Sequence, residues 1–73
     1  MAVRTYSILV DEAAGVPLAD VVRTLRESGV EVTQQLDAIG VVLARIDDAR
    51  VQEIRAVRGV MAVEEEREVG PAE

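Results

Sequence analysis

The sequence predicts an α+β fold: a four-stranded antiparallel sheet with two helices packed on one of its faces. Three observations lead there. Apolar residues alternate at period two in four segments. They recur at helical spacing in two others. The two kinds follow one another in the order β-α-β-β-α-β.

The first strand is expected over residues 4–10, RTYSILV. Tyr6, Ile8 and Val10 fall on one face and Thr5, Ser7 and Leu9 on the other. Residues 11–15, DEAAG, read as a loop. A helix is predicted over residues 16–29, where Leu18, Val21, Val22 and Leu25 follow the i, i+3, i+4, i+7 spacing of one face. Pro17 suits the first turn, where its missing N–H costs nothing. Arg23 and Arg26 favour the negative end of the helix dipole, against Glu27. Gly29 suits a left-handed C-terminal cap.

Alternation resumes over residues 30–37. Val30, Val32 and Leu36 lie on one side, and Glu31, Thr33 and Gln35 on the other. Gln34 breaks the pattern by falling on the apolar side. Residues 37–40, DAIG, make a turn or bulge, and IGVVLARI is the third strand. Asp47 or Asp48 caps a second helix, ARVQEIRAVRG, over residues 49–59. Val51, Ile54 and Val57 point inward there, and Gly59 ends the helix. VMAVEEEREV, residues 60–69, is the last strand. Two right-handed β-α-β crossovers of this size give a ferredoxin-like βαββαβ plait with one sheet face left open. A single domain over residues 1–73 is expected, with its core over about 4–69 and a C-terminal tail over 70–73.

Composition narrows the function classes. The 73 residues include no histidine and no cysteine, and all eight basic residues are arginine. The commonest general base, the thiolate and the lysine Schiff base are therefore missing. No enzyme, metal site or cofactor is expected. Fourteen acidic residues give a net charge of −6, and Tyr6 is the only aromatic. That balance disfavours nucleic acid, whose binding rests on phosphate neutralisation. No apolar run approaches a membrane span, and the N-terminal apolar patch meets Asp11 and Glu12 too early for a signal peptide. The expected address is the cytoplasm, with no membrane partner.

Four features deserve a local reading. Asp47 and Asp48 precede a helical pattern and read as caps. Asp11 and Glu12 read as solvated loop charges, since no third ligand lies at useful spacing. The run EEERE, residues 64–68, is either a solvated edge or a set of carboxylates for helix N-termini of another protein. Period two places Glu64, Glu66 and Glu68 on one face. Val41, Val42, Leu43 and Ala44 form a strand segment that is apolar on both sides. Its second face is shielded within the molecule or by dimerisation, or it is a docking face.

Across about residues 4–69 the chain resembles the propeptide domains of subtilisin-like serine proteases and the free-standing propeptide-like protease inhibitors. The matching stretches are YSILV, ADVVRTLRESGVEVTQQLDAIGVVLARI and VRGVMAVEEEREV, with V-x-A-V-E-E-E at residues 60–66 the most telling. The resemblance implies a ferredoxin-like fold whose open face, including Val41, Val42, Leu43 and Ala44, packs on two protease helices. It implies that Glu64 and Glu66 cap those helices. It also implies that Val69, Gly70, Pro71, Ala72 and Glu73 lie substrate-like in the cleft, an extended reach of about 17 Å. The tail departs from the family pattern: Val69 is its one apolar anchor, Pro71 lacks an N–H, and Glu73 adds charge at the terminus. No protease domain follows in the sequence, so the expected action is in trans, by inhibition or folding assistance. The alternative is a homodimeric scaffold or binding module that uses the same face. A small-ligand regulatory module ranks lower, because no Gly-rich phosphate loop is present.

Overall fold

Residues that alternate in the sequence pair in the structure. A computed structural model describes residues 2–66. The strands are β1 (Val3–Val10), β2 (Glu31–Leu36), β3 (Val41–Asp47) and β4 (Val60–Glu65). The helices are α1 (Leu18–Glu27) and α2 (Val51–Arg55). Short 3-10 turns cover Glu12–Ala14, Asp37–Ile39 and Asp48–Arg50. The sheet runs β2-β3-β1-β4, and every neighbouring pair is antiparallel. Thus β3 lies between β1 and β2, and β1 lies between β3 and β4. Two interleaved β-α-β units with this insertion make the ferredoxin-like plait.

Register decides which residues enter the core. Tyr6 lies opposite Ala44, and Ile8 lies between Val42 and Val63. With Val10 and Ile46 they share one face. Val21, Val22 and Leu25 of α1 and Val51 and Ile54 of α2 complete the cluster with Val30. Among the described residues thirteen side chains are buried and none of them is charged. Ile8, Leu25 and Ile54 are fully excluded from water. Burying each such side chain is worth about 1.5–3 kcal/mol. Because only Tyr6 is aromatic, the core is built from branched aliphatics, whose shape suits a small sheet–helix sandwich.

The helices are shorter than predicted. In α1 the carbonyl of Pro17 accepts the N–H groups of Asp20 and Val21 at 3.0 and 3.2 Å, so Pro17 sits at the boundary with extended ψ. The other end is a Schellman motif. Val30 N–H donates to Leu25 C=O at 3.0 Å, and Gly29 N–H donates to Arg26 C=O at 3.0 Å. Gly29 has φ +86°, the left-handed conformation that motif needs. Val30 and Leu25 are both buried, which adds the apolar contact that accompanies it.

The helix predicted over residues 49–59 divides into a 3-10 turn, a five-residue α2, and further i→i+3 bonds. Ala56 N–H donates to Glu53 C=O and Val57 N–H to Ile54 C=O. Val57 still packs on the core. A tight exit is required because Gly59 returns the chain to the sheet. There its carbonyl accepts Asp11 N–H at 2.8 Å.

Strand β2 departs most from simple alternation. Its pairing with β3 shifts between Val32 and Gln34. Thr33 is the extra residue of this bulge, and its hydroxyl donates to Leu43 C=O at 3.1 Å. Val32 therefore faces the helices opposite Ala44, while Gln34 and Leu36 pair with Leu43 and Val41 on the opposite face. The expected grouping of Leu36 with Val30 and Val32 is thereby corrected. The bulge also explains why polar Gln34 breaks the alternation in the sequence.

Gly59 tests this packing. It has φ +95°, and a Cβ there would stand 2.9 Å from Val21 Cγ2 and 3.0 Å from Val16 Cβ. Gly29 shares the positive φ, but its nearest neighbour to such a Cβ is Arg50 Nη1 at 3.8 Å. Gly29→Ala should cost about 1–2 kcal/mol from backbone strain alone. Gly59→Ala should cost more, roughly 3 kcal/mol or above, because strain and overlap combine. Urea denaturation of both variants checks the order.

Candidate functional site

The face of the sheet away from the helices is built in rows, each set by the strand register. Leu36, Val41, Leu9 and Ala62 stand opposite one another in turn, from β2 through β3 and β1 to β4. They form an apolar row across all four strands. The next row is Gln34, Leu43, Ser7 and Glu64. Beyond it Glu31, Arg45 and Thr5 line up, and then Asp47 with Val3. One end of the face is thus apolar and the other polar.

The apolar row remains accessible. Leu9 is 37% exposed, and Leu36, Val41, Leu43 and Ala62 are half-buried. Two further apolar side chains adjoin its ends in sequence. Ile39, in the turn joining β2 to β3, is 65% exposed, and Met61, in the β4 irregularity between Val60 and Ala62, is 57% exposed. The row thus keeps apolar surface in contact with water on the sheet face that the helices leave uncovered.

The four-residue stretch singled out in the sequence divides between the two layers. Val42 and Ala44 are fully buried beneath the helices, because they pair with Ile8 and Tyr6. Only Val41 and Leu43 belong to the open face. The inclusion of Val42 and Ala44 in a docking face is corrected accordingly: strand pleating sends them into the core. Leu9, Leu36 and Ala62 complete the row. Leu9 could be found from the period-two pattern of the first strand, whereas Leu36 was hidden by the bulge at Thr33.

The charges are one-sided. Among the described residues, Glu31, Asp47 and Glu64 occupy open-face positions of the strands, with Arg45 the one cation at such a position. Glu64 is exposed opposite Ser7. Glu65 takes the other face, opposite Tyr6, where its Oε2 accepts from Arg4 Nη1 at 2.7 Å. That hydrogen bond and the carboxylate charge raise the Arg4 pKa further above its ordinary value. Glu66 lies just past β4 with its side chain exposed, and its N–H donates to Thr5 C=O at 2.9 Å. The tail residues Val69, Gly70, Pro71, Ala72 and Glu73 lie outside the described residues.

The remaining carboxylate candidates serve the backbone. Asp47 Oδ1 accepts Ala49 N–H at 3.0 Å and caps the 3-10 turn before α2. Asp11 Oδ1 accepts Ala13 N–H at 3.0 Å. Asp48 joins the N-terminal backbone instead, its N–H donating to Ala2 C=O at 2.9 Å. Among the described residues no cluster of three acidic side chains is placed to hold a metal. None of their helices is long and apolar enough to cross a membrane.

The two sides of β3 should respond differently to the same chemistry. Leu43→Gln should change stability by about 1 kcal/mol or less, as a partly exposed position does. Val42→Gln should cost about 3 kcal/mol or more, because it buries an unpaired amide in the core. Equal losses in urea titrations would contradict the face assignment.

Compared with family models and with curated proteins, the chain gives no match.

Proposed function

We propose that this chain is a non-enzymatic protein-interaction module that docks through its open sheet face, acting in trans on a subtilisin-like serine protease as inhibitor or folding assistant. The observation that carries the reading is the apolar row Leu36, Val41, Leu9 and Ala62, which spans every strand and is flanked on β4 by Glu64. Covering such a row removes apolar area from water. The carboxylate at its side offers an anion to a helix N-terminus of the partner, whose free N–H groups favour it.

The resemblance to free-standing propeptides supplies the partner class. In this reading Glu64 and Glu66 cap partner helices, and Val69, Gly70, Pro71, Ala72 and Glu73 enter the cleft. The lack of histidine, cysteine and lysine supports a binding rather than a chemical role. A cytoplasmic address is part of the proposal and rests on the sequence grounds above. The homodimeric alternative uses the same face. It would gather the carboxylates of Glu31, Asp47 and Glu64 from both copies into one interface, which self-repulsion disfavours.

The test is a titration of the full chain against subtilisin-like proteases, following peptide hydrolysis. Saturable inhibition is expected. Leu9→Asp and Leu43→Asp should each weaken it at least about tenfold, a loss of about 1.4 kcal/mol, while circular dichroism stays unchanged. Deleting residues 69–73 should abolish inhibition and leave the fold intact. A folded protein that inhibits no member, or one indifferent to both face substitutions, would overturn the proposal.

A further inference from the structure

The outer edge of β4 is the second surface of the molecule at which another chain could join. Its backbone geometry follows from one hydrogen bond and the register. Glu66 N–H donates to Thr5 C=O at 2.9 Å, so these residues form a hydrogen-bonded pair of the antiparallel ladder. Counting along the register, Ser7–Glu64 is another such pair. Tyr6–Glu65 and Ile8–Val63 are the intervening kind, whose polar groups turn away from each other. The N–H and C=O groups of Val63 and Glu65 therefore point to the outer side of β4. Among the described residues no strand lies there.

One of these outward groups is occupied. Arg55, in the last turn of α2, reaches across with Nη2 and donates to Val63 C=O at 3.2 Å. The guanidinium stands where the N–H of an added strand would have to stand. The opposite edge strand, β2, carries the Thr33 bulge, a different device with the same effect on strand pairing.

We infer that Arg55 guards the β4 edge, and that without it β4 pairs antiparallel with β4 of a second copy. Pairing about a two-fold axis at Val63 would use Val63 N–H and C=O of both copies, the pair of bonds that Arg55 interrupts. In that register Glu64 stands opposite Ala62, and Glu65 and Glu66 meet the irregular apolar segment Val60–Met61. No carboxylate opposes a carboxylate, so charge alone does not keep the edges apart. The sequence from Val60 to Val63 is wholly apolar, as a pairing strand requires.

Sedimentation of the full chain tests this. Wild type and Arg55→Lys, which keeps a donor, should show the monomer mass at concentrations where Arg55→Ala and Arg55→Met double it. Arg55→Met retains the aliphatic stem, so both variants must associate if the lost hydrogen bond is the cause. Adding Glu65→Pro removes an outward N–H without touching the ladder to β1, and should return R55A to the wild-type mass. Three results would each overturn the inference: R55A and R55M matching wild type with circular dichroism intact, association in only one of them, or association that persists in the double variant R55A/E65P.

Discussion

The pairing of β1 with β3 at the centre of the sheet is the constraint on which the rest depends. It sets Tyr6 against Ala44 and Ile8 against Val42, and so sends one alternate set of residues to the helices. A slip of one residue would exchange the faces of a whole strand. The run 41–44 resists such a slip poorly, because it is apolar at both parities. Register must be enforced at its ends. Arg45 cannot take a buried position without a partner, whereas Ile46 can. At the other end Val10 N–H donates to Gly40 C=O at 2.9 Å, which ties the last residue of β1 to the turn entering β3. The doubly apolar stretch is compatible with one register only because its flanks are not ambiguous.

The small size of the chain explains how the connections are made. A domain of this length buries a modest fraction of its surface, so loops must be tight and core positions fully used. The Schellman turn at Gly29 delivers Val30 into the core immediately after α1. Gly59 brings the chain so close to Val16 and Val21 that no side chain fits. The same Gly59 holds the end of β1 through Asp11. Against this economy, the apolar row on the open face stands out. A fold this small leaves Leu9, Leu36 and Val41 outside the core it builds.

Much of this plan is legible in the sequence, and the failures share a physical origin. The six elements, the inward face of β1 and the buried stripe of α1 follow from period alone, and the left-handed cap follows from the glycine at position 29. Period counting fails where the count itself changes. The bulge adds Thr33 to β2, so Leu36 crosses to the open face and Gln34 leaves the apolar side. Within the run 41–44 every residue is apolar, so period two separates Val41 and Leu43 from Val42 and Ala44 only when it is counted back from the Arg45–Ile46 flank. Helical spacing overstates the length of α2 because Val57 keeps that spacing while its backbone has passed into i→i+3 turns. Arg55 illustrates a third limit: its bond to Val63 joins two elements, and no local pattern announces it.

The proposed docking role rests on the sheet's edges and its open face taken together. A sheet joins a second chain either through backbone groups at an edge or through side chains on a face. Here β2 is bulged at Thr33 and β4 has a carbonyl held by Arg55, so both edges are poor templates. The helix layer covers one face. The other keeps a continuous apolar row beside exposed carboxylates. Edge pairing is indifferent to partner sequence, because every backbone offers the same groups, whereas a patterned face discriminates by shape and charge. Closing the indiscriminate route while leaving the selective one open is the arrangement a small binding module requires. In the proposed binding role the apolar residues on the open face, which contribute little to the core, are the ones that meet the partner.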